Sequence, residues 1–419
     1  STMKRDHSHY AGQIGALGGK NTNLIAKQTD LAIAIGTKLG DFTTGSWANF
    51  ENANFKLVSI NVSRFDANKH LAQAIVGDAK ISLKDLSNAL GDWRAGEEWN
   101  KKSQNELAAW NAHIDKESAP SNQEIPSYVQ VIGAIYKNSD PSDIAVTAAG
   151  GLVGEVVQVW RPRELNTHET EWGFSCMGYE ISGALGIKMA KPKQDVVVFL
   201  GDGSYLLSNS DIYSSVLYDQ KLIIIVCDNG GHMVINRLQL AKGGKEYICN
   251  LRSARAKNLQ FVDFENHARS MGANAETVNS TSELEAAYMR AKESDRTYVI
   301  VIKTHGYEWL EGTAFWESPT LQDPITKENK EVQVQLNYDT GLNPYYGLVP
   351  IAIKYGVFKK VSTRIELPDG KTAFEKSINN DPEKYFTDEV MKQLEDAVAQ
   401  EFKYGSESTD DDTEVQTEA

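Results

Sequence analysis

The chain has 419 residues and a formal net charge of -14, because 57 acidic side chains outnumber 43 basic ones. This length allows more than one hydrophobic core, since single cores rarely grow beyond roughly 250 to 300 residues. No stretch alternates lysine and arginine with aromatic residues, and the acidic balance argues against nucleic acid as a partner. We therefore predict a soluble, multidomain protein.

The cysteine spacing and the hydropathy argue against two further classes of protein, those stabilised by disulfides or zinc and those that span a membrane. The three cysteines, Cys176, Cys227 and Cys249, have no CxxC spacing, so neither a disulfide framework nor a zinc site is predicted. The opening stretch STMKRDHSHYAGQIG has no apolar segment, and the longest apolar runs have the length of strands. We expect reduced thiols, a cytoplasmic location and no membrane partner.

The first predicted region, residues 1–91, alternates short β-branched runs with glycine, asparagine and aspartate. LAIAI and FKLVSIN indicate strands, and IVGDAKISLKDLSNALG indicates a strand followed by a helix. This alternation predicts part of a parallel α/β domain. Residues 92–125 are polar with helical spacing in their middle, and we interpret them as a helical linker.

The next region, residues 126–310, has the most regular pattern. Helical segments alternate with continuous apolar strands, among them DIAVT, DVVVFLG, KLIIIVC and TYVIVIK. Strands that are apolar at nearly every position are typical of a parallel sheet covered by helices on both faces. The prediction is an α/β fold with a doubly wound parallel sheet.

The composition changes again after residue 310. LPDG predicts a hairpin turn between VSTRIE and KTAF, and Thr387 is positioned to cap a helix that ends at Gly405. We interpret residues 311–405 as a C-terminal extension and the acidic residues 406–419 as a disordered tail.

Glycine-rich turns follow three of the predicted strands: TAAGG, GDGS and DNGG. Ligands of open parallel sheets bind beyond the carboxyl ends of the strands, so we expect these turns to border one crevice. Glycines let backbone N–H groups approach a ligand, and a helix that starts after Gly203 favours a phosphate group. The predicted cofactor-binding residues of these turns are Gly150, Gly151, Gly201, Asp202, Gly203, Ser204, Asn229 and Gly231.

Two of these residues, Asp202 and Asn229, are separated by one strand–helix–strand unit. Mg²⁺ prefers oxygen ligands and is bound by one or two carboxylates together with phosphate oxygens and water. Each motif by itself is also typical of a simple turn after a strand. Their combination next to a predicted phosphate site favours a magnesium site.

The pairing of GDG with DN one unit later resembles the signature of thiamine-diphosphate enzymes. The resemblance implies that Asp202, the side chain of Asn229 and the backbone carbonyl of Gly231 hold Mg²⁺ against thiamine diphosphate. The motif GFSCMGYE further implies that Met177 supports the thiazolium ring, and that the backbone around Ser175 and Met177 contacts the aminopyrimidine. Met177 alone is equally typical of a core side chain.

Within these enzymes, GFSCMGYE, GDGSYL and VDFENHARSMGA most resemble the trihydroxycyclohexanedione hydrolases of myo-inositol catabolism. The resemblance implies hydrolytic cleavage of a C–C bond in a small cyclic polyhydroxy-dione, which gives a 5-deoxy-glucuronate. An acetolactate synthase-like carboligase is the enzymatic alternative, and a non-catalytic module with the same fold is the alternative outside enzymes.

Two residues before the Met177 turn are candidates for catalysis. His168 and Glu171 are expected in a loop, where they could contact substrate hydroxyls or act as acid and base, or else be solvated loop residues.

The family also has a pyrimidine-binding domain with a catalytic glutamate, and no segment here resembles that domain. We therefore expect this chain to be a fragment, or one subunit of a split enzyme, with little turnover by itself. The resemblance also implies a homodimer or homotetramer, in which the pyrimidine-binding domain comes from a missing N-terminal region or from another chain.

Overall fold

The computed structural model describes residues 3–121, 123–171, 174–241, 245–310 and 343–401, and the short strand pairs 321–322, 329–330, 336–337 and 341–342. The chain divides into two compact units, residues 1–318 and residues 319–419. Across the described ranges, no helix has both the length and the apolar character that a membrane span needs.

The first unit begins with a small parallel sheet of three strands in the order β1–β2–β3. The strands are β1 (Leu31–Ile35), β2 (Lys56–Asn61) and β3 (Gln73–Val76). The accompanying helices are α1 (Lys20–Gln28), α2 (Asp41–Thr44), α3 (Arg64–Ala67) and α4 (Ala79–Leu90). The strands and the helix predicted for this region are present.

A long helix, α5 (Glu97–Glu117), occupies the segment interpreted as a linker. Trp110 and Ile114 are buried in the cluster that also contains residues of the larger sheet. The Trp110 ring also lies so close to Gly19, just before α1, that a Cβ on Gly19 would be 2.8 Å from the indole nitrogen. The helix therefore packs against the start of α1 on one side and against the hydrophobic cluster of the larger sheet on the other.

The rest of the first unit is a six-stranded parallel sheet in the order β5–β4–β6–β7–β9–β8. Its strands are β4 (Ile144–Thr147), β5 (His168–Thr170), β6 (Val196–Gly201), β7 (Ile223–Asp228), β8 (Asn274–Val278) and β9 (Tyr298–Lys303). Its helices are α6 (Tyr128–Asn138), α7 (Gly150–Val159), α8 (Tyr179–Ala190), α9 (Asp202–Leu207), α10 (Asp211–Leu217), α11 (Met233–Ala241), α12 (Phe264–Ser270) and α13 (Thr281–Glu293).

Alternate residues of the central strands enter two separate hydrophobic clusters. In β7, Ile223 and Ile225 pack into one cluster, whereas Ile224 and Val226 pack into the other. Each cluster is covered by helices, so the prediction of a doubly wound sheet is confirmed.

Several elements of this domain were not predicted from the sequence, among them α7, β5 and β8, and the first two show why. The α7 sequence GGLVGEVVQV is buried around its whole circumference and lacks an amphipathic period. The β5 strand is only three residues long, HET, and pairs at the sheet edge beside β4. Neither element therefore has the periodicity by which helices and strands are recognised.

The second unit contains an antiparallel sheet, β14 (Lys359–Val361), β15 (Arg364–Glu366) and β16 (Thr372–Ala373), and the helices α14 (Leu348–Lys354), α15 (Glu375–Asn380) and α16 (Asp388–Glu401). The strand pairs before them are β10 (Leu321–Gln322) with β11 (Asn329–Lys330), and β12 (Leu336–Asn337) with β13 (Gly341–Leu342). Residues of α14, β15, α15 and α16 form one hydrophobic cluster, which also includes Phe358 and Phe386.

Two local predictions for the second unit can be compared with the structure. The predicted turn at LPDG joins β15 to β16, with the N–H of Leu367 donating to the carbonyl of Lys371 at 2.8 Å. The predicted cap is also present, because the hydroxyl of Thr387 accepts from the N–H of Val390 at 3.5 Å. Gly405 and the acidic tail lie outside the described residues.

Candidate cofactor-binding site

The three predicted glycine-rich turns lie at one edge of the six-stranded sheet. They follow β4, β6 and β7, which are adjacent and parallel, so their carboxyl ends point the same way. The chain passes from β4 outward to β5 and then returns to β6 on the other side, which makes the β4–β6 gap the point where the strand order switches. Ligands of doubly wound sheets bind at such a switch point.

Asp202 is the first residue of α9 and has a buried carboxyl group, with only 3% of the residue exposed. Its Oδ1 atom has no hydrogen-bond partner. Burial, together with the nearby charge of Asp228, raises the pKa of Asp202 to about 7, although the N–H groups of Gly203 and Gly231 act in the opposite direction. A buried acidic oxygen without a donor is suited to binding a cation.

Asn229, which follows β7, is oriented by two hydrogen bonds. Its amide nitrogen donates to the hydroxyl of Tyr128, and its Oδ1 accepts from the N–H of Gly231 at 3.2 Å. The side-chain oxygen is thereby directed toward Gly231, whose N–H also faces Asp202. The structure thus brings together the three residues predicted as metal ligands.

Gly231 is held by a short segment that follows α11. It forms an antiparallel bridge with Asn250, and the N–H of His232 donates to the carbonyl of Cys249 at 2.8 Å. The backbone of Gly231 has φ of +145°, and a Cβ there would lie 2.2 Å from the Cys249 carbonyl oxygen. Only glycine allows this approach, which orients the peptide group at the predicted metal site.

The turn before α8 lies next to the turn after β6. The terminal carbon of Met177 would be 3.2 Å from a Cβ on Gly203, so the half-buried methionine lies against the GDG turn. Ser175 has φ of +51° and donates from its hydroxyl to the carbonyl of Ala148 at 3.4 Å. Residues predicted from separate motifs therefore lie close together in the structure.

His168 and Glu171 have surroundings different from those expected. The expectation of a loop at His168 is wrong, because HET pairs with β4 as an edge strand. The ring of His168 is hydrogen-bonded to the hydroxyl of Thr170 at 2.9 Å, and burial lowers its pKa to about 4. The Glu171 carboxylate accepts from the N–H groups of Phe174 at 2.8 Å and Cys176 at 3.0 Å, so it holds the turn that leads to Met177.

Tyr128 and Glu155 are site residues that sequence reasoning missed. They line a cavity of about 20 Å³, enough for roughly one water molecule, together with Arg237 and Trp309. Burial raises the pKa of Glu155 to about 7, and its Oε1 accepts from the N–H of Leu310 at 3.0 Å. Both residues lie within helices. Glu155 is a lone carboxylate in the apolar run LVGEVVQV, a signal that the sequence reasoning did not use, whereas Tyr128 is typical of a core position.

The donor atoms at this edge of the sheet are suited to a hard cation and a phosphate group. Within the described ranges, no three His, Cys, Asp or Glu side chains converge as a metal cluster. The Asp202 carboxylate and the Asn229 amide oxygen both face the N–H of Gly231, and oxygen ligands of these kinds suit Mg²⁺ when phosphate completes the coordination. The N-terminus of the ten-residue helix α7 supplies free N–H groups nearby.

Two family models match the chain. Residues 148–302 match the family described as thiamine pyrophosphate enzyme, C-terminal TPP binding domain, and residues 1–86 match the thiamine pyrophosphate enzyme, central domain. Together these matches cover more than half of the chain. The chain belongs to the thiamine pyrophosphate enzymes. The family drawn from the sequence motifs is thereby confirmed, and all three turns lie within the match to the TPP binding domain.

Curated relatives of this thiamine pyrophosphate enzyme chain are named 3D-(3,5/4)-trihydroxycyclohexane-1,2-dione hydrolase. The protein of Geobacillus thermodenitrificans is 33% identical over 78% of this chain and 55% of its own length. The protein of Bacillus subtilis is 31% identical over 81% of this chain and 58% of its own length. The chain therefore spans somewhat more than half the length of the relatives it matches.

Proposed function

We propose that this chain binds Mg²⁺ and thiamine diphosphate at the β4–β6–β7 edge and forms part of an enzyme that hydrolyses a C–C bond. The proposed substrate is the small cyclic dione named in its relatives, trihydroxycyclohexane-1,2-dione, which would give 5-deoxy-glucuronate in myo-inositol catabolism. The observation that carries the cofactor proposal is the buried, unpartnered oxygen of Asp202 beside Asn229 and Gly231.

The residues of the chain have distinct roles in this proposal. Asp202, Asn229 and the carbonyl of Gly231 bind the metal, and the positive ion keeps the Asp202 carboxyl ionised despite its burial. The N–H groups at the start of α7, at Gly150 and Gly151, face the diphosphate. Each of these groups is held in advance by the sheet, so binding requires little reorganisation.

The chemistry itself comes from the cofactor, which supplies an electron sink for the bond next to an attacked carbonyl. Met177, packed against Gly203, supports the ring end of the cofactor in this proposal. Glu171 maintains the turn of Met177 through its two backbone hydrogen bonds. The proposal includes a homodimer or homotetramer in which a pyrimidine-binding domain with its glutamate completes the site.

Calorimetric titration of thiamine diphosphate with Mg²⁺ into the complete enzyme, with its pyrimidine-binding domain, tests the cofactor site in wild-type and Asp202→Ala form. Asp41→Ala is a matched control, because Asp41 also begins a helix after a glycine but is exposed and belongs to α2, between two strands of the small sheet in the chain. Substituting residues that only support a metal ligand typically lowers metal affinity about 10- to 100-fold. Because Asp202 is proposed to bind the metal directly, we expect Asp202→Ala to lower the affinity about 100-fold or more and Asp41→Ala to leave it unchanged. Unchanged binding by Asp202→Ala would contradict the metal role, and an absence of binding heat in wild type would favour a non-catalytic module.

The substrate class requires product analysis on the complete enzyme, with its pyrimidine-binding domain. We expect ring opening of the cyclic dione and no acetolactate from pyruvate. Acetolactate formation without ring opening would replace this assignment with a carboligase activity.

A further inference from the structure

Glu180 is a fully buried carboxylate in the first turn of α8, with 0% of the residue exposed. It makes no salt bridge with any lysine or arginine in the described part of the chain. A buried charge without a counter-ion is costly, and such groups persist only where several hydrogen bonds stabilise them. The burial of Glu180 therefore has to be stabilised by the hydrogen-bond donors around its carboxyl group.

The donors come from three different turns. Glu180 Oε1 accepts from the N–H of Ala149 at 3.3 Å, and Oε2 accepts from the N–H of Gly178 at 2.8 Å. Burial raises the pKa of Glu180, and the hydroxyl of Ser204, which faces the carboxylate as a hydrogen-bond donor, acts in the opposite direction. One carboxylate thus joins the turn after β4, the turn before α8 and the turn after β6.

Each donor is next to a residue of the proposed cofactor site. Ala149 precedes Gly150 at the start of α7, Gly178 follows Met177, and Ser204 follows Gly203. The turn before α8 also contacts the other two turns, through the Ser175 hydroxyl that donates to Ala148 and through Met177 packed against Gly203. A carboxylate accepts at both oxygens, whereas glutamine has one acceptor oxygen and an amide nitrogen that would face another N–H donor.

We propose that Glu180 is a positioning residue that sets the spacing of these three turns and thereby the affinity for the cofactor. The inference rests on the proposed function, because the cofactor is the group that the turns hold. The inference goes beyond that function because it assigns the relative placement of the three turns to one buried carboxyl group, that of Glu180. Glu180 contacts no reacting atom in this role.

Hydrogen exchange of the cofactor-free chain tests the coupling without any ligand. In Glu180→Gln, we expect amides of all three turns to exchange about tenfold faster, because buried donors lose their acceptor. Glu283→Gln is the matched control: Glu283 also accepts a backbone N–H near the start of a helix, from Asn279 at 2.8 Å, but lies on the remote helix α13. Faster exchange confined to the start of α8 would overturn the proposal.

Ser204→Ala provides a second variant that keeps the charge and removes one donor. We expect it to raise exchange at Ala149 and Gly178 as well as at its own turn, and to have no further effect in the Glu180→Gln background. Additive effects of the two substitutions would show that Glu180 and Ser204 act separately, which contradicts the proposal.

Calorimetry with thiamine diphosphate and Mg²⁺ supplies the functional measurement. We expect about tenfold weaker binding in Glu180→Gln and wild-type affinity in Glu283→Gln. Wild-type affinity in Glu180→Gln would overturn the positioning role. An absence of binding in the complete wild-type enzyme, with its pyrimidine-binding domain, would instead reject the proposed function, while the exchange result would still decide whether Glu180 couples the turns.

Discussion

The first unit contains two parallel sheets that differ in what they bury. In the six-stranded sheet, β7 is buried from Ile223 to Cys227, and buried ionisable groups surround the sheet, namely Asp143, Glu155, His168, Glu180, Lys188 and Asp202. In the three-stranded sheet, β1 has one buried position, Ala34, and the buried polar residues up to residue 91 are amides and hydroxyls.

The difference shows where this fold can support a charged binding site. Burying an ionisable group costs free energy that well-packed surroundings must offset. Only the larger sheet has two hydrophobic clusters, one on each face. Its buried carboxylates at Asp202 and Glu180 lie at the edge where the cofactor is proposed to bind, which is consistent with perturbed groups concentrating at functional sites.

The largest expected contrast concerns one isoleucine in each sheet. Ile224→Ala in β7 removes a fully buried side chain, and we expect a loss of about 2 to 5 kcal/mol in the free energy of unfolding. Ile33→Ala in β1 removes a side chain that is 40% exposed, and we expect a loss below about 1.5 kcal/mol. Urea unfolding measures both values. Equal losses would contradict the contrast between the sheets.

A second contrast concerns pH. Burial raises the pKa of Glu155 to about 7 from its ordinary value near 4.5, so between these values the folded chain binds the proton more tightly than the unfolded chain. The free energy of unfolding therefore falls as pH rises through this window, by up to about 3 kcal/mol. Glu155→Gln should remove the contribution of Glu155 and leave that of Asp202, whose pKa burial also raises to about 7, whereas the exposed Glu51→Gln should retain both. Thermal unfolding at several pH values measures the slope, and an unchanged slope in Glu155→Gln would exclude Glu155 as its source.

The smallest predicted effect concerns the orientation of Asn229. Tyr128→Phe removes the hydroxyl that accepts from the Asn229 amide, and we expect about fivefold weaker binding of Mg²⁺ with thiamine diphosphate. Tyr136→Phe, in the same helix but distant from Asn229, should bind as wild type. Equal affinities in the two variants would show that Tyr128 does not orient the ligand.

Sequence-based prediction succeeded where the information is local. The strands β6 and β7 were recognised because they are continuous apolar runs, and the turns after them because Gly, Asp and Asn have special backbone roles. It failed at α7, which has no polar face, and at β5, which is too short to show a period. The helix after β6 also begins at Asp202 itself, whereas the prediction placed its start after Gly203.

The amino-acid sequence by itself determined the family, the doubly wound sheet and the turns that carry Asp202, Asn229 and Met177, because each depends on neighbouring residues. Only the tertiary structure decided which groups support them. Three hydrogen-bonded pairs at the site are far apart in the sequence. Tyr128 and Asn229 are separated by 101 residues, Glu180 and Ala149 by 31 residues, and Glu155 and Leu310 by 155 residues. Such partners leave no periodic pattern in the chain, since they are neighbours only after the sheet has brought the strand ends together.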